Sequence, residues 1–296
     1  MSQAMSPSAS KTYGIERVCA VWNLSRATVQ RHKAALGSVP KKPAKRGPRC
    51  VLSDDEILAA IRRVLAESPF VGEGYRKIWA RLRHHHSVRA GPKRVLKILR
   101  ENHLLAHERS TVVRGPKVHD GTIVTERPDE MWAIDATAAL TEEGDATVFI
   151  VVDHCTGECL GTRAARRGTR FEAIDTLRQA IWTTKGRYAE DVADGVALRH
   201  DHGSQFISYA FQEELRFVGI RSSPAFVRQP EGNGCAERFI RTLKEQLLWL
   251  RRFPSVEELD AALKDFAQRY NNRWIIGRLG YRTPAQHRRI LLGEAA

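Results

Sequence analysis

Between Met131 and Ala165 three apolar runs follow one another almost without interruption, MWAIDATAAL, ATVFIVVDHC and ECLGTRAA, and this crowding constrains the fold more than any other feature. Runs rich in β-branched and aromatic residues, separated by turn residues at Glu142 to Asp145, form consecutive strands. Beyond them strand and helix alternate. A helix is expected over about 171–184, a fourth strand over VALRHD, a helix over 209–218, a short fifth strand over 219–222, a long helix over about 234–250 and another over 256–270. Three strands in a row followed by alternation predict an α/β fold, a mixed sheet with helices packed on it.

The first 118 residues carry a different, all-helical pattern. In 1–38 the apolar positions Val18, Val21, Leu24, Ala27 and Val29, with Ser25 as an N-cap, predict two short helices at helix-turn-helix spacing. Arg26, Thr28, Gln30 and Arg31 then lie on the second helix, where side chains reach base edges or phosphates. Residues 39–50 form a basic linker: VPKKPAKRGPR offers little to bury, and Lys41 and Lys42 suit a phosphate backbone. A second helical module, 51–118, opens on the capping box Ser53 to Glu56, followed by Ile57, Ile61 and Val64 at helical spacing. Its second helix turns Tyr75, Ile78, Trp79 and Leu82 inward and leaves Arg76, Lys77, Arg81 and Arg83 on other faces. Its third begins after Gly91 and Pro92, with Lys93 and Arg94 in the first turn.

Charge divides along the same line. Of a formal net charge of +14, residues 1–130 hold 25 Lys and Arg against 12 Asp and Glu, whereas 131–296 hold 23 against 22. Such asymmetry favours a polyanionic partner, ordinarily nucleic acid, for the N-terminal half. Five scattered cysteines exclude a disulfide scaffold, no apolar run of membrane-spanning length exists, and the start MSQAMSPSAS lacks the apolar core of a signal peptide. A cytoplasmic protein without a membrane role is expected. His84 to His86 lack any accompanying Cys pair and do not read as a zinc site.

Asp135 falls near the end of the first predicted strand, Asp201 at the end of the fourth, and Glu237 in the first turn of the long helix. Singly each has an ordinary explanation as a turn former or helix-start acid. Converging, three carboxylates repel unless a divalent cation compensates them, and oxygen-only ligands favour Mg²⁺ or Mn²⁺. Two such ions support in-line phosphoryl transfer. Asp153 is a candidate fourth acid or an ordinary turn residue before Thr-Gly. His200 and His202 either touch the reaction or position the loop.

These pieces, WAIDAT at 132–137, DHGSQF at 201–206 and NGCAERFIRTLK at 233–244, resemble the catalytic core shared by retroviral integrases and bacterial insertion-sequence transposases, with 35 residues between Asp201 and Glu237. GEGYRKIWARLR and GPKRVLKILRENHL resemble the helical region that precedes the core in second-open-reading-frame transposases of this type, which are often joined to an upstream frame. The resemblance implies an RNase H-like fold in a catalytic core of 125–296, a DDE triad of Asp135, Asp201 and Glu237, and a phosphate-holding Lys244 two helical turns beyond Glu237, with Arg241 beside it. It further implies double-stranded DNA partners (terminal repeats and target), at least a dimer on DNA, an upstream-frame partner, and metal-dependent 3′-end cleavage followed by strand transfer. Near the end, YNNRWIIGRLGYRTP departs from the family's usual pattern at Arg273 to Ile276. A non-catalytic DNA-binding regulator is the alternative reading, and an RNA-degrading ribonuclease H-type enzyme a third.

Overall fold

The computed structural model describes residues 3–36, 51–107, 123–225 and 233–294. The chain divides into two compact units, Met1–Val51 and Leu52–Ala296. In the first, α1 (Gly14–Val21) and α2 (Arg26–Leu36) form a helical hairpin whose turn passes through Asn23 at φ 50°. The Ser25 carbonyl accepts from Thr28 and Val29 N–H at the start of α2, as the sequence predicts.

The second unit begins with three helices, α3 (Asp54–Glu67), α4 (Tyr75–His85) and α5 (Pro92–Glu101). The predicted capping box is formed in full: Ser53 Oγ accepts from Glu56 N–H, and Glu56 accepts from Ser53 N–H at 2.7 Å. Ile57, Ile61, Val64, Ile78, Leu82, Val95, Ile98 and Leu99 close into one buried cluster. The apolar stripes expected of these helices are thus their core.

Five strands follow in the order β3-β2-β1-β4-β5: β1 (Met131–Thr141), β2 (Gly144–Asp153), β3 (Cys159–Ala165), β4 (Ala197–His200) and β5 (Arg221–Pro224). β1, β2 and β3 run as an antiparallel meander, while β4 and β5 join β1 in parallel. Each face is buried. Trp132, Ile134, Phe149 and Val151 face α6 (Arg170–Lys185) and α8 (Tyr209–Phe217); Ala133, Val148, Ile150 and Val152 face α9 (Gly234–Leu243) and α10 (Val256–Arg273). Gly161 lets α6 approach β3 closely, since a Cβ there would meet the Thr176 carbonyl at 2.6 Å. The expected mixed sheet with packed helices is therefore present.

Two short helices lie outside the sequence expectation, α7 (Ser204–Ile207) and α11 (Pro284–Leu291), the latter opened by a capping box of Thr283 and Gln286. The expected long helix over 234–250 is corrected: α-geometry ends at Leu243, and Lys244–Leu248 form a π-turn.

Leu52–Ala296 behaves as one unit because the helical module and the sheet domain interlock. Phe70 belongs to the core beneath α9 and α10, and its ring meets the edge of Trp274 at 4.8 Å. Trp79 meets Tyr281 at 5.7 Å, and Arg81 donates to the Arg273 carbonyl at 2.9 Å. The segment that departs from the family pattern, Arg273 to Ile276, is one wall of this contact.

Candidate active site

Side-chain alternation along β1 places Asp135 on the same face as Ala133, the face that packs against α9. Asp135 sits in the middle of an eleven-residue strand, not near its end as expected, because the β1–β2 hairpin extends pairing to Thr141 and Gly144. β4 pairs β1 in parallel with a constant offset, Met131 opposite Ala197 through Ala133 opposite Arg199. Continued by two residues, that register sets Asp201 level with Asp135, just past the last residue of β4.

Local bonds hold the Asp201 loop. Gly203 N–H donates to Asp201 Oδ1 at 2.9 Å, and a Cβ at Gly203 would crowd that same oxygen. His200 bonds through Nδ1 to the Asp201 carbonyl and through Nε2 to Ser222 Oγ, and His202 Nε2 bonds to the Ala225 carbonyl. Both histidines position the loop, the second of the two roles open to them. Glu237 stands in the first turn of α9, and the start of that helix is tied to β1 by Asn233, whose buried amide donates to the Ile134 carbonyl at 3.1 Å. In the sequence Asn233 stands only as the first residue of the NGCAERFIRTLK motif, with no role of its own. Its position, one residue from Asp135 across the bond, makes it the link between two of the acids.

The electrostatics tie the acids together. The Asp135 carboxyl is pushed up to about 6, first by burial and then by the charges of Asp201 and Glu237; a hydrogen bond from Ala136 N–H and the Lys244 charge oppose the rise. Four groups from β1, the β4 end and α9 therefore share one field. Among the described residues, no three His, Cys, Asp or Glu side chains are gathered at ion-holding spacing. The donor set fits a hard divalent ion: carboxylate oxygens only, one of them partly withdrawn from water, with net negative charge to compensate.

Asp153 does not join this group. It is fully buried, and its oxygens accept from Thr156 N–H, the Thr156 hydroxyl and Asp129 N–H, so its role is that of a turn residue. Cys155 and Cys159 are free, buried thiols in no metal group among the described residues.

The expected DNA contacts sort into two kinds. Thr28, Gln30 and Arg31 are exposed on α2, Arg26 pairs with Glu16, and Lys93 is exposed at the start of α5. Arg76 is exposed and bonds to its neighbour Tyr75, and Arg241 is exposed and paired with Glu245. Lys77 and Arg94, by contrast, turn to intramolecular partners. Lys77 Nζ lies 2.8 Å from the centre of the Trp274 ring and 3.9 Å from buried Glu73, while Arg94 binds Asp54 and the Leu52 carbonyl. Neither presents its charge outward as a solvated phosphate contact would. Lys41 and Lys42 lie outside the described residues.

Two models of the Integrase core domain match this chain, over residues 125–230 and 218–284, together more than half of it, and an HTH-like domain matches residues 53–109. Transposase InsD for insertion element IS2A/D/F/H/I/K of Escherichia coli is 28% identical over 244 residues, covering 80% of this chain and 79% of InsD. Among solved structures, the catalytic core domain of BIV integrase aligns with a TM-score of 0.40 at 21% identity, covering 56% of this chain and 95% of that one. The HTLV-2 integrase catalytic core in complex with magnesium aligns at 0.42 and 19%, covering 55% and 97%. Among the described residues no helix is long and apolar enough to cross a membrane.

Proposed function

For a chain that belongs to the integrase-core family of bacterial insertion-sequence transposases, we propose that Asp135, Asp201 and Glu237 hold divalent metal, Mg²⁺ or Mn²⁺, and that this site cuts DNA at the ends of a mobile element and joins the freed 3′-hydroxyl to target DNA. The observation that carries this reading is the placement of the acids: the β1–β4 register, continued by two residues, sets Asp201 level with Asp135, and Asn233 ties the start of the Glu237 helix to the carbonyl of Ile134, the residue before Asp135. Burial and the neighbouring charges outweigh the hydrogen bond that Asp135 accepts from Ala136 N–H.

Bound metal would supply charge compensation for the phosphate, a polarised attacking oxygen and a stabilised leaving oxygen. The protein's own groups do the rest. Asp135 is fixed by its strand and by Ala136 N–H, and Asp201 by the Gly203 turn, so two oxygens are presented from a rigid edge. Glu237 approaches on α9, a separate element whose start is bonded to β1 through Asn233. Lys244, two turns along, supplies a cation for a terminal phosphate of the bound strand. Duplex DNA is the substrate that suits the exposed basic face of α2 and the HTH-like module, and two element ends call for at least two copies of the chain. An upstream-frame partner belongs to the same proposal.

The test is cleavage of end DNA in Mg²⁺. Asp135→Ala, Asp201→Ala and Glu237→Ala should each abolish cleavage and leave DNA binding nearly intact, because the metal serves the charge of the transition state more than docking. Near wild-type cleavage by any of the three would overturn the assignment. DNA binding by the wild type without cleavage in either metal would favour the non-catalytic regulator.

A further inference from the structure

α9 leaves regular helical geometry at Lys244, where the π-turn over Lys244–Leu248 closes with Trp249 N–H donating to the Lys244 carbonyl at 2.9 Å. Such turns are rare, often lie at functional sites, and need support from what surrounds them. Two supports are visible here. On the inner side Leu247 is buried and Leu248 packs on the core beneath α9 and α10. On the outer side the Gln246 side chain reaches the helical module: its Oε1 accepts from Val71 N–H at 2.9 Å, and its Nε2 donates to the Val71 carbonyl at 2.8 Å.

One amide thus satisfies both backbone groups of a residue 175 positions away, a two-point attachment that fixes distance and orientation together. Val71 is itself anchored, since the preceding Phe70 is buried against Trp274. Two residues before Gln246 stands Lys244, two helical turns beyond Glu237 and on the same face, and the side chain after Lys244, Glu245, pairs back to Arg241. The helix that carries Glu237 and Lys244 is therefore attached to the HTH-like module at the turn where its geometry changes.

We propose that Gln246 is a positioning residue: by tying the π-turn to Val71 it holds Lys244 at the acid site, so that the DNA-binding module and the catalytic helix are set as one piece. This rests on the reading of the acids as a phosphoryl-transfer site. It differs from it in assigning the module a second duty, alignment of the catalytic helix, and in naming the residue through which that duty passes.

The experiment uses the full chain as wild type, Gln246→Ala, Gln246→Glu, Lys244→Ala and the double variant Gln246→Ala with Lys244→Ala. Cleavage of end DNA, affinity for the same DNA, thermal melting and amide hydrogen exchange are read for each. Gln246→Ala should lower the cleavage rate about tenfold while end-DNA affinity stays within about twofold, and amide exchange should quicken over residues 244–249. Gln246→Glu keeps the acceptor for Val71 N–H but sets a carboxylate oxygen against the Val71 carbonyl, so it should lose at least as much as Gln246→Ala. In the Lys244→Ala background Gln246→Ala should add less than about a twofold loss, because one acts through the other. Unchanged exchange over 244–249 in Gln246→Ala, full cleavage by it, or losses that multiply in the double variant would each overturn the proposal. So would a fall in cleavage matched by an equal fall in DNA affinity or a melting transition lost altogether. If the wild type binds DNA and does not cleave, the functional reading fails, and the exchange measurement still decides whether Gln246 holds the π-turn.

Discussion

The two helical regions that precede the sheet look alike in sequence, both short-helical and both basic, yet among the described residues only the second turns several of its cations, Lys77, Arg81 and Arg94, to partners inside its own unit. In the first hairpin α1 buries Cys19 and α2 buries nothing, so Arg31 and its neighbours on α2 remain on a solvated face. In the second, α3 to α5 close a cluster of their own, and their surface then packs on the sheet domain. Lys77 and Arg81 turn to Glu73, which stands just before their own helix with its side chain only 1% exposed, and to the tail at Arg273 and Trp274. The difference teaches that a positive count does not measure a DNA-binding surface. A cation contributes to one only if the fold has left it without inner work.

The largest effect expected from this contrast is on stability. Arg81→Ala removes two charged donors to buried Glu73 and leaves it the Ser68 hydroxyl and the Lys77 charge, so the loss should be about 1.5–3 kcal/mol. Urea unfolding measures it, and a loss under about 1 kcal/mol would break the contrast. Next is removal of residues 1–51, a separate compact unit holding ten Lys and Arg and a single acid, Glu16. The remaining 52–296 should melt within about 2 °C of the full chain, since no core of the second unit is cut. Its binding to end DNA should weaken and its salt dependence flatten, by about 0.9 in log K against log salt for each phosphate it no longer neutralises. The smallest effect is that of Arg31→Ala: stability within about 0.5 kcal/mol and one such step in the salt slope. A melting change larger than its binding change would place Arg31 on the structural side of the comparison.

What can be read from sequence is whatever local pattern determines. The Ser53 to Glu56 capping box, the three consecutive strands and the helical start before Glu237 depend on neighbours a few residues away, and each stands as expected. Lys77 and Arg81 have a local partner in Glu73, but their contacts with Trp274 and the Arg273 carbonyl lie nearly two hundred residues away, and nothing in YRKIWARLR marks those. The central placement of Asp135 follows from how far the hairpin pairing runs, which alternation alone does not fix. The π-turn is likewise hidden, because KEQLLWL has the composition of an ordinary helix. For α11 the start signal of Thr283, Pro284 and Gln286 is local and complete, but the helix it opens is only eight residues long and buries little beyond Pro284, so no apolar stripe announces it. At the candidate site the three acids are legible as residue types at family spacing, whereas Asn233 becomes meaningful only with its amide against Ile134.

The central claim is that the three acids hold a divalent cation, and Mn²⁺ binding to wild type and Asp135→Asn, followed by paramagnetic resonance with melting in parallel, tests it most directly. The Asp135 carboxyl rises to about 6, so its ionisation in the metal-free fold adds no penalty below the ordinary carboxylate range, a growing one as pH rises toward 6 and the full one above. At pH 7.5 without metal, Asp135→Asn should therefore be more stable than wild type by about 1–3 kcal/mol, and Mn²⁺ should bind and stabilise wild type alone. Equal Mn²⁺ binding by the two proteins, or a metal-free wild type more stable than Asp135→Asn, would contradict the account.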